Sequence, residues 1–213
     1  MLTVWGRKTS SNVQALMWCI GEMHLPHVRH DVGHHFGGTD TAFFAALNPN
    51  RTVPVLQEGN DPPLWETGAI LRYLANRYGT ESFWPADAVA RANVDRWAEW
   101  SKINVAMAFT APVFWRVVRT PQADRDSRAI AEAMAKLEAA LSIADRQVAE
   151  HPFLAGATFT LADIQLGHIL YRYYDIDVVR QPFTHLRAYY ARLLARPAFQ
   201  EHVVVSYDAL RVD

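Results

Sequence analysis

The stretch Thr52-Val53-Pro54-Val55-Leu56 decides how the N-terminal part of this chain folds. The valines and the leucine around the proline predict a β-strand. Because a proline cannot donate a ladder hydrogen bond, it lies at a sheet edge or carries a cis peptide bond in a tight turn. An edge position would be purely structural, whereas a cis bond would turn the Val53 amide and carbonyl outward as a main-chain clamp for an extended peptide.

A second decisive stretch, WETGAILRYL at residues 65–74, joins the end of a strand to the start of a helix. Unpaired N–H groups and the positive end of the helix dipole bind a carboxylate at such a junction, and the Thr67 hydroxyl can add a hydrogen bond. The Glu66 carboxylate would accept from an ammonium group. Together these features suit an amino-acid head group, although ordinary helix capping explains the same two residues.

Around these two stretches, the first 80 residues have the pattern of a βαβαββα unit. Strands are predicted at residues 2–5, 27–32, 53–56 and 63–66, and helices from Val13 to Ile20, at 41–47 with Asp40 as N-cap, and at Thr67–Tyr78. This order predicts a small mixed sheet with helices packed on it.

Beyond residue 87 the apolar residues repeat with the helical period of 3.6. The stripes are Ile130, Met134, Leu137, Leu141 and Val148, then Leu186, Tyr189, Tyr190 and Leu193. The predicted fold class is therefore an α/β domain at residues 1–79 and an all-α domain at 88–213, joined by a linker at 80–87. Thr160 and Asp163 have the spacing of a capping box, which predicts the structural start of a buried helix.

Composition excludes several function classes. The 213 residues carry 21 Lys or Arg and 22 Asp or Glu, a net charge of −1, so no charge excess favours nucleic acid or an anionic membrane. The N-terminus has no signal-peptide pattern, and the longest charge-free apolar tract, at 103–115, is too short to span a bilayer. With one cysteine and no disulfide, the chain is expected in the cytoplasm.

Other chemistry-bearing residues are interpreted as structural. Cys19 lies among apolar residues of a predicted helix, where a free cysteine packs as a small hydrophobe. No third ligand of the right kind accompanies His30, His34 and His35, so no metal site is predicted. His168 lies on a charge-free helix and is predicted to be a hydrogen-bonded core residue.

Three motifs together resemble those of cytosolic glutathione transferases. They are Val53-Pro54, Glu66-Thr67 at the helix start, and Leu161-Ala162-Asp163, followed by Arg196-Pro197-Ala198-Phe199 near the end of the chain. Their order and spacing match that family along nearly the whole chain. The resemblance implies a thioredoxin-like N-terminal domain, an all-helical C-terminal domain, and glutathione as co-substrate.

The same resemblance implies how glutathione is held in the first domain. The Val53 main chain would bind the cysteinyl part, while Glu66 and Thr67 would bind the γ-glutamyl head. Arg51 resembles a position that contributes toward the glycyl end. Thr67 stands where the family usually has serine, and either hydroxyl can serve.

Glutathione chemistry requires a stabilised thiolate, because a thiol with a pKa of about 8.5 is mostly protonated at neutral pH. Residues 6–13, GRKTSSNV, offer three hydroxyls and an amide before the first helix and contain neither Tyr nor Cys. This segment resembles the serine-type classes, which implies Ser10 as the hydroxyl donor and Asn12 as a second donor. Thr9 and Ser11 remain alternatives, and N-capping by Ser11 or Asn12 explains part of the cluster.

The second substrate is expected to be an apolar electrophile that binds between the domains. Its predicted walls are Phe109, Phe114, Trp115 and Tyr171, each of which is equally well explained as helix core. Pro112 is expected to kink this long helix.

The resemblance also implies a homodimer through the helix at Thr67–Tyr78 and the one that follows the linker, with Arg72, Asp95 and Glu99 offering opposite charges. The leading function is glutathione conjugation. A glutathione-dependent isomerase, dehalogenase or peroxidase, and a non-catalytic binding protein of this fold, are the alternatives.

Overall fold

The computed structural model describes residues 1–212, and its N-terminal part is built on a four-stranded sheet. The strands are β1 Leu2–Trp5, β2 His27–His30, β3 Val55–Glu58 and β4 Leu64–Trp65, in the spatial order β2-β1-β3-β4. β1 pairs with β2 in parallel, whereas β3 runs antiparallel to both β1 and β4. The helices of this part are α1 Ser11–Glu22, α2 Ala42–Leu47 and α3 Thr67–Tyr78. The predicted βαβαββα order is confirmed.

Several local predictions in this region were wrong, among them the end of β2, which is His30 and not residue 32. The third strand begins at Val55 and not at residue 53, because Pro54 has no N–H for the ladder and the Val53–Pro54 bond is cis. β4 ends at Trp65 because Glu66 leaves the strand with a φ of +67°. The N-cap of α2 is Thr41 and not Asp40, since the Thr41 side chain accepts from the Phe44 N–H at 3.2 Å.

From Ala88 onward the described residues are helical or irregular. The helices are α4 Ala88–Trp100, α5 Met107–Phe109, α6 Arg116–Val118, α7 Ser127–Glu150, α8 Leu161–Asp175, α9 Thr184–Leu194 and α10 Pro197–His202. Wider π-helical turns at Ser101–Ala106 and Thr110–Trp115 join α4, α5 and α6 into one continuous helical segment. The second of these turns contains Pro112, which lacks an N–H. The exact domain limits stay a prediction.

Asp163 anchors the N-terminus of α8. Its carboxylate is fully buried and accepts hydrogen bonds from the Leu154 N–H at 2.9 Å, the Thr160 N–H at 2.7 Å, and the Thr160 and Tyr189 hydroxyls at 3.1 and 2.8 Å. The predicted capping box is therefore confirmed. Desolvation raises the pKa of Asp163, while these four donors act to lower it.

A continuous core joins the two parts of the chain. The buried Trp18 of α1 packs edge-on against Phe199 of α10, with ring centroids 4.7 Å apart, and donates to Glu22 at 2.7 Å. Arg196 holds the same Glu22 carboxylate with two hydrogen bonds of 2.7 and 2.6 Å. These contacts fix the C-terminal half of α1 against the helical part. Within residues 1–212, no helix combines the length and apolarity needed to cross a membrane.

Candidate functional site

The loop between β1 and α1 brings three hydroxyls to the start of α1. Ser10 is the N-cap residue, with φ −85° and ψ 125°, but its side chain makes no capping hydrogen bond. Its main chain is fixed by the Arg7 carbonyl at 3.1 Å and the Gln14 N–H at 2.9 Å. The expectation that Ser11 or Asn12 caps this helix was therefore wrong. Within residues 1–212 the Ser10 hydroxyl has no partner, so it is free to donate to a ligand at the positive end of the helix.

Thr9, one of the alternatives to Ser10, is turned into the protein. Its hydroxyl is fully enclosed without a partner among the described residues, and its carbonyl accepts from Arg172 at 2.7 Å. Ser11 is the first helical residue and, like Ser10, is less than a tenth exposed. The geometry thus favours Ser10 or Ser11 over Thr9 as a donor to a ligand.

Asn12 is oriented by a lysine from the helical part of the chain. The Lys102 ammonium donates to the Asn12 Oδ1 at 3.1 Å. Because an ammonium only donates, the Asn12 amide oxygen must face it, and the Nδ2 donor is left to point elsewhere. Desolvation lowers the pKa of Lys102, and the nearby Glu66 and Glu99 carboxylates act to raise it. A half-buried cation therefore lies beside the α1 N-terminus.

Val53 lies close to this loop because Gly6 has no side chain. A Cβ on Gly6 would come within 3.2 Å of the Val53 Cβ and 2.5 Å of Val13 Cγ2. Of the two alternatives predicted for Pro54, a sheet edge or a cis peptide bond, the structure has the cis bond. This is the alternative expected to turn the Val53 amide and carbonyl outward as a main-chain clamp. Within residues 1–212 neither the N–H nor the carbonyl of Val53 makes a hydrogen bond, so both can pair with an extended ligand.

The Glu66-Thr67 junction has an unusual backbone. Glu66 adopts the left-handed region, which is uncommon for a residue other than glycine and points to a function for the turn. Its side chain is exposed, and no hydrogen bond to its carboxylate is found among the described residues. Thr67 is buried at the first position of α3, where main-chain N–H groups lack helical partners. An ammonium acceptor and an anion receptor thus stand side by side.

The remaining predicted glutathione residue, Arg51, is exposed and has a φ of +54°. Its guanidinium donates to the Asp40 carbonyl at 3.2 Å. His34 and His35 lie in the loop after β2, and burial lowers the pKa of His34, as do Arg7 and Arg119. In the described part of the chain, no group of three residues could hold a metal ion.

The four predicted wall residues fall into two kinds. Phe109 and Phe114 are 1% and 0% exposed and belong to the core, with ring centroids 5.9 Å apart. Trp115 is 44% exposed and Tyr171 is partly exposed, so only these two present an aromatic surface. An apolar stripe in the sequence does not distinguish a pocket wall from a core face.

The predicted structural residues are buried. Cys19 is a fully buried free cysteine, and desolvation strongly raises its pKa, so it is no rival nucleophile. His168 is buried and pairs with the Ile164 carbonyl at 3.0 Å, which confirms its place in the core. Burial and the Lys102 charge lower its pKa to about 3.

Sequence reasoning missed Lys102 and Arg172. Both reach the loop before α1 from distant helices, across 90 residues to Asn12 and 163 residues to Thr9. Arg172 also lies 3.3 Å from the Gln14 Oε1. Their one sequence signal is a lone cation at the edge of an otherwise uncharged helical tract.

Two family models match the chain. The model for the glutathione S-transferase N-terminal domain covers residues 9–77, and the model for the glutathione S-transferase C-terminal domain covers residues 106–197.

Several named proteins are similar over most of their length. Glutathione S-transferase GstB of Escherichia coli K12 is 32% identical over 206 residues, which cover 96% of this chain and 99% of that protein. Glutathione S-transferase 3 of Zea mays is 31% identical over 95% of this chain and 93% of its own. A glutathione-bound crystal structure of the theta class glutathione S-transferase from Xanthomonas axonopodis pv. citri is 42% identical, with a TM-score of 0.91 and coverage of 96% and 98%.

Proposed function

Because this chain belongs to the glutathione S-transferase family, we propose that it is an enzyme that binds glutathione and transfers its thiolate to small electrophiles. The observation that carries the proposal is the free Ser10 hydroxyl at the N-terminus of α1, in the loop whose Gly6 lies beside Val53 with its unpaired main chain. A protein that only used this fold as a scaffold would need no donor there. The glutathione-bound relative of 42% identity supports the choice of thiol.

Glutathione is held by main-chain and side-chain groups of the first domain. The Val53 N–H and carbonyl pair with the cysteinyl part as a short strand would. At the γ-glutamyl end, the N-terminus of α3 and the Thr67 hydroxyl receive the carboxylate, and the Glu66 carboxylate receives the ammonium. Arg51, which is exposed, attracts the glycyl carboxylate.

The thiolate is stabilised by neutral donors and a nearby cation. Ser10 donates its hydroxyl to the sulfur, and Asn12 adds an amide N–H whose direction is set by Lys102. The half-buried ammonium and the helix dipole both favour negative charge in this position. These groups lower the pKa of the bound thiol and so increase the nucleophile present at neutral pH.

The electrophile binds on the helical side, against Trp115 and Tyr171. The sulfur lone pair attacks the electrophilic carbon, the C–S bond forms, and the leaving group departs with the electrons of the bond it breaks. Positioning and thiolate stabilisation supply the rate enhancement, so no protein acid is needed for a good leaving group. Phe109 and Phe114, which are buried, belong to the helical core and are not assigned to this wall.

A glutathione-affinity column and a conjugation assay test this function. We expect the purified chain to bind the column, to elute with free glutathione, and to conjugate 1-chloro-2,4-dinitrobenzene well above the uncatalysed rate. Retention without turnover toward a broad electrophile panel would contradict the enzyme and support the binding-protein alternative. Absence of both retention and turnover would contradict glutathione binding itself.

We further propose that the protein is a homodimer through α3 and α4. Within the chain, Arg72 pairs with Asp95 and Glu99 at 2.6 Å each, so these charges are used inside the protomer rather than across the interface expected from the sequence. Sedimentation at micromolar concentration is expected to give twice the chain mass of 24.1 kDa. A single species of 24.1 kDa would contradict the dimer.

A further inference from the structure

Arg7 lies in the loop before α1, and Arg119 and Arg172 approach this loop from the helical domain; we call these three residues the arginine cluster. Within residues 1–212 none of them pairs with a carboxylate. The Nε atom of each is enclosed and has no hydrogen-bond partner among those residues. Arg172 is buried and Arg7 and Arg119 are partly exposed. Withdrawing such cations from water without a counter-ion is costly, so the cluster suits a ligand that compensates the charge.

Arg172 is the most constrained member, at 3% exposed. Its guanidinium donates to the Thr9 carbonyl at 2.7 Å and lies 4.7 Å from the ring centroid of Phe114. Arg119 lies over the ring of Trp115, 4.9 Å from the centroid, at the end of α6. These contacts place the Arg119 guanidinium against Trp115 of the aromatic wall, and the Arg172 guanidinium against the buried Phe114 and the carbonyl of Thr9, the residue before Ser10.

Arg7 closes the cluster from the first domain. Its Nη1 would lie 3.2 Å from a Cβ on Gly33, and that same Cβ would lie 3.8 Å from the Val53 Cγ1. Burial lowers the pKa of all three arginines, that of Arg172 to about 10, and repulsion within the cluster lowers the pKa of Arg7 and Arg172 further. No aspartate or glutamate acts on these pKa values, so the charge of the cluster is uncompensated.

We propose that the arginine cluster binds a carboxylate carried by the electrophilic substrate. This inference rests on the proposed function. A planar guanidinium fork matches a carboxylate in geometry as well as in charge. The cluster lies between the Ser10 loop and Trp115, so a bound carboxylate would place the neighbouring carbon near the sulfur. The substrate class is therefore an acid with a leaving group close to its carboxylate, rather than a purely apolar electrophile.

Iodoacetate and iodoacetamide test this assignment, because they differ only in the carboxylate and are small enough to require no assumption about pocket size. In each case the thiolate attacks the CH₂ carbon, the C–S bond forms as the C–I bond breaks, and iodide leaves with the electron pair, while the thiol proton passes to solvent. The kcat/KM for each reagent is divided by its rate constant with free glutathione. We expect this corrected value to be at least about tenfold higher for iodoacetate.

Variants of the cluster separate the contribution of each arginine. Arg7→Gln and Arg119→Gln, which change partly exposed residues, are each expected to lower the corrected iodoacetate value about 10-fold to 100-fold and to change the iodoacetamide value less than about threefold. Arg116→Gln removes the same charge from an exposed position three residues before Arg119 and should leave both values unchanged.

The other outcomes overturn the assignment in distinguishable ways. Turnover of iodoacetamide without a preference for iodoacetate would reject it and leave the proposed function standing. If the arginine variants weaken glutathione binding but keep the iodoacetate preference, the cluster binds the glycyl carboxylate of glutathione and not the electrophile. Failure of both reagents, with no turnover of 1-chloro-2,4-dinitrobenzene, would reject the proposed function together with this inference.

Discussion

Replacement of Ser10 by alanine is expected to lower kcat/KM for conjugation about 100-fold and to raise the pKa of bound glutathione. The hydroxyl makes no capping bond, so its removal costs the helix little and acts mainly on the ligand. Removal of one preorganised donor from an anion typically costs about 10²–10³ in rate. The pKa rises because the lost hydrogen bond stabilised the thiolate and not the thiol. Ultraviolet titration of the bound thiolate measures this shift directly.

Ser11→Ala is the matched control for Ser10→Ala. It removes the same atoms one residue later, at the first position of α1, and is expected to leave the thiol pKa unchanged. If Ser10→Ala leaves the pKa of the bound thiol unchanged and Ser11→Ala raises it, then Ser11 is the donor and not Ser10. If neither variant changes the pKa, hydroxyl stabilisation of the sulfur is wrong for this protein.

Lys102→Met separates the lysine's effect from that of the hydroxyl. The variant removes the cation that holds the Asn12 Oδ1 at 3.1 Å, so the amide loses its fixed direction and the site loses a positive charge. We expect Lys102→Met to raise the thiol pKa less than Ser10→Ala does. Asn12→Ala is expected to raise it about as much as Lys102→Met. A Lys102→Met thiol that titrates like wild type would exclude the lysine from thiolate stabilisation.

Local chemistry is the part of this molecule that the sequence predicts well. Pro54 lacks an N–H wherever it lies, and Thr160 with Asp163 carries its capping geometry within four residues, so short-range rules were enough to predict the cis bond as one alternative and the helix start. The errors at the start of β3 and at the end of β4 also have a local cause. One residue in a special backbone conformation moves a strand boundary without changing the apolar pattern of the sequence.

Long-range pairing is the part that the sequence does not predict. Lys102 meets Asn12 and Arg172 meets Thr9 only because α1 packs against helices that follow it by many residues. The uncharged tract before Arg172 predicts a buried helix, but nothing local to Arg172 indicates which group its guanidinium contacts. Phe109 and Trp115 lie in the same apolar tract of the sequence, but Phe109 is buried in the core and Trp115 is exposed. The sequence does not predict this difference.

Replacement of Asp163 by alanine is expected to lower the free energy of unfolding by about 3–5 kcal/mol, the largest stability effect among these variants. The change leaves the Leu154 and Thr160 N–H groups and the Tyr189 hydroxyl buried without an acceptor. Since a typical domain is stable by only about 5–15 kcal/mol, the variant should unfold at a much lower urea concentration or fail to accumulate.

Asp126→Ala is the control that distinguishes a buried hub from an ordinary cap. Asp126 caps α7 through the Ala129 N–H at 2.9 Å at an exposed site, so its loss should cost only about 1 kcal/mol. Thr160→Ala, which removes one hydroxyl from the Asp163 carboxylate, should also cost about 1 kcal/mol and stays measurable if Asp163→Ala does not fold. Equal urea midpoints for Asp163→Ala and Asp126→Ala would mean that Asp163 is only a cap, because burial of its other donors would then carry no extra free energy.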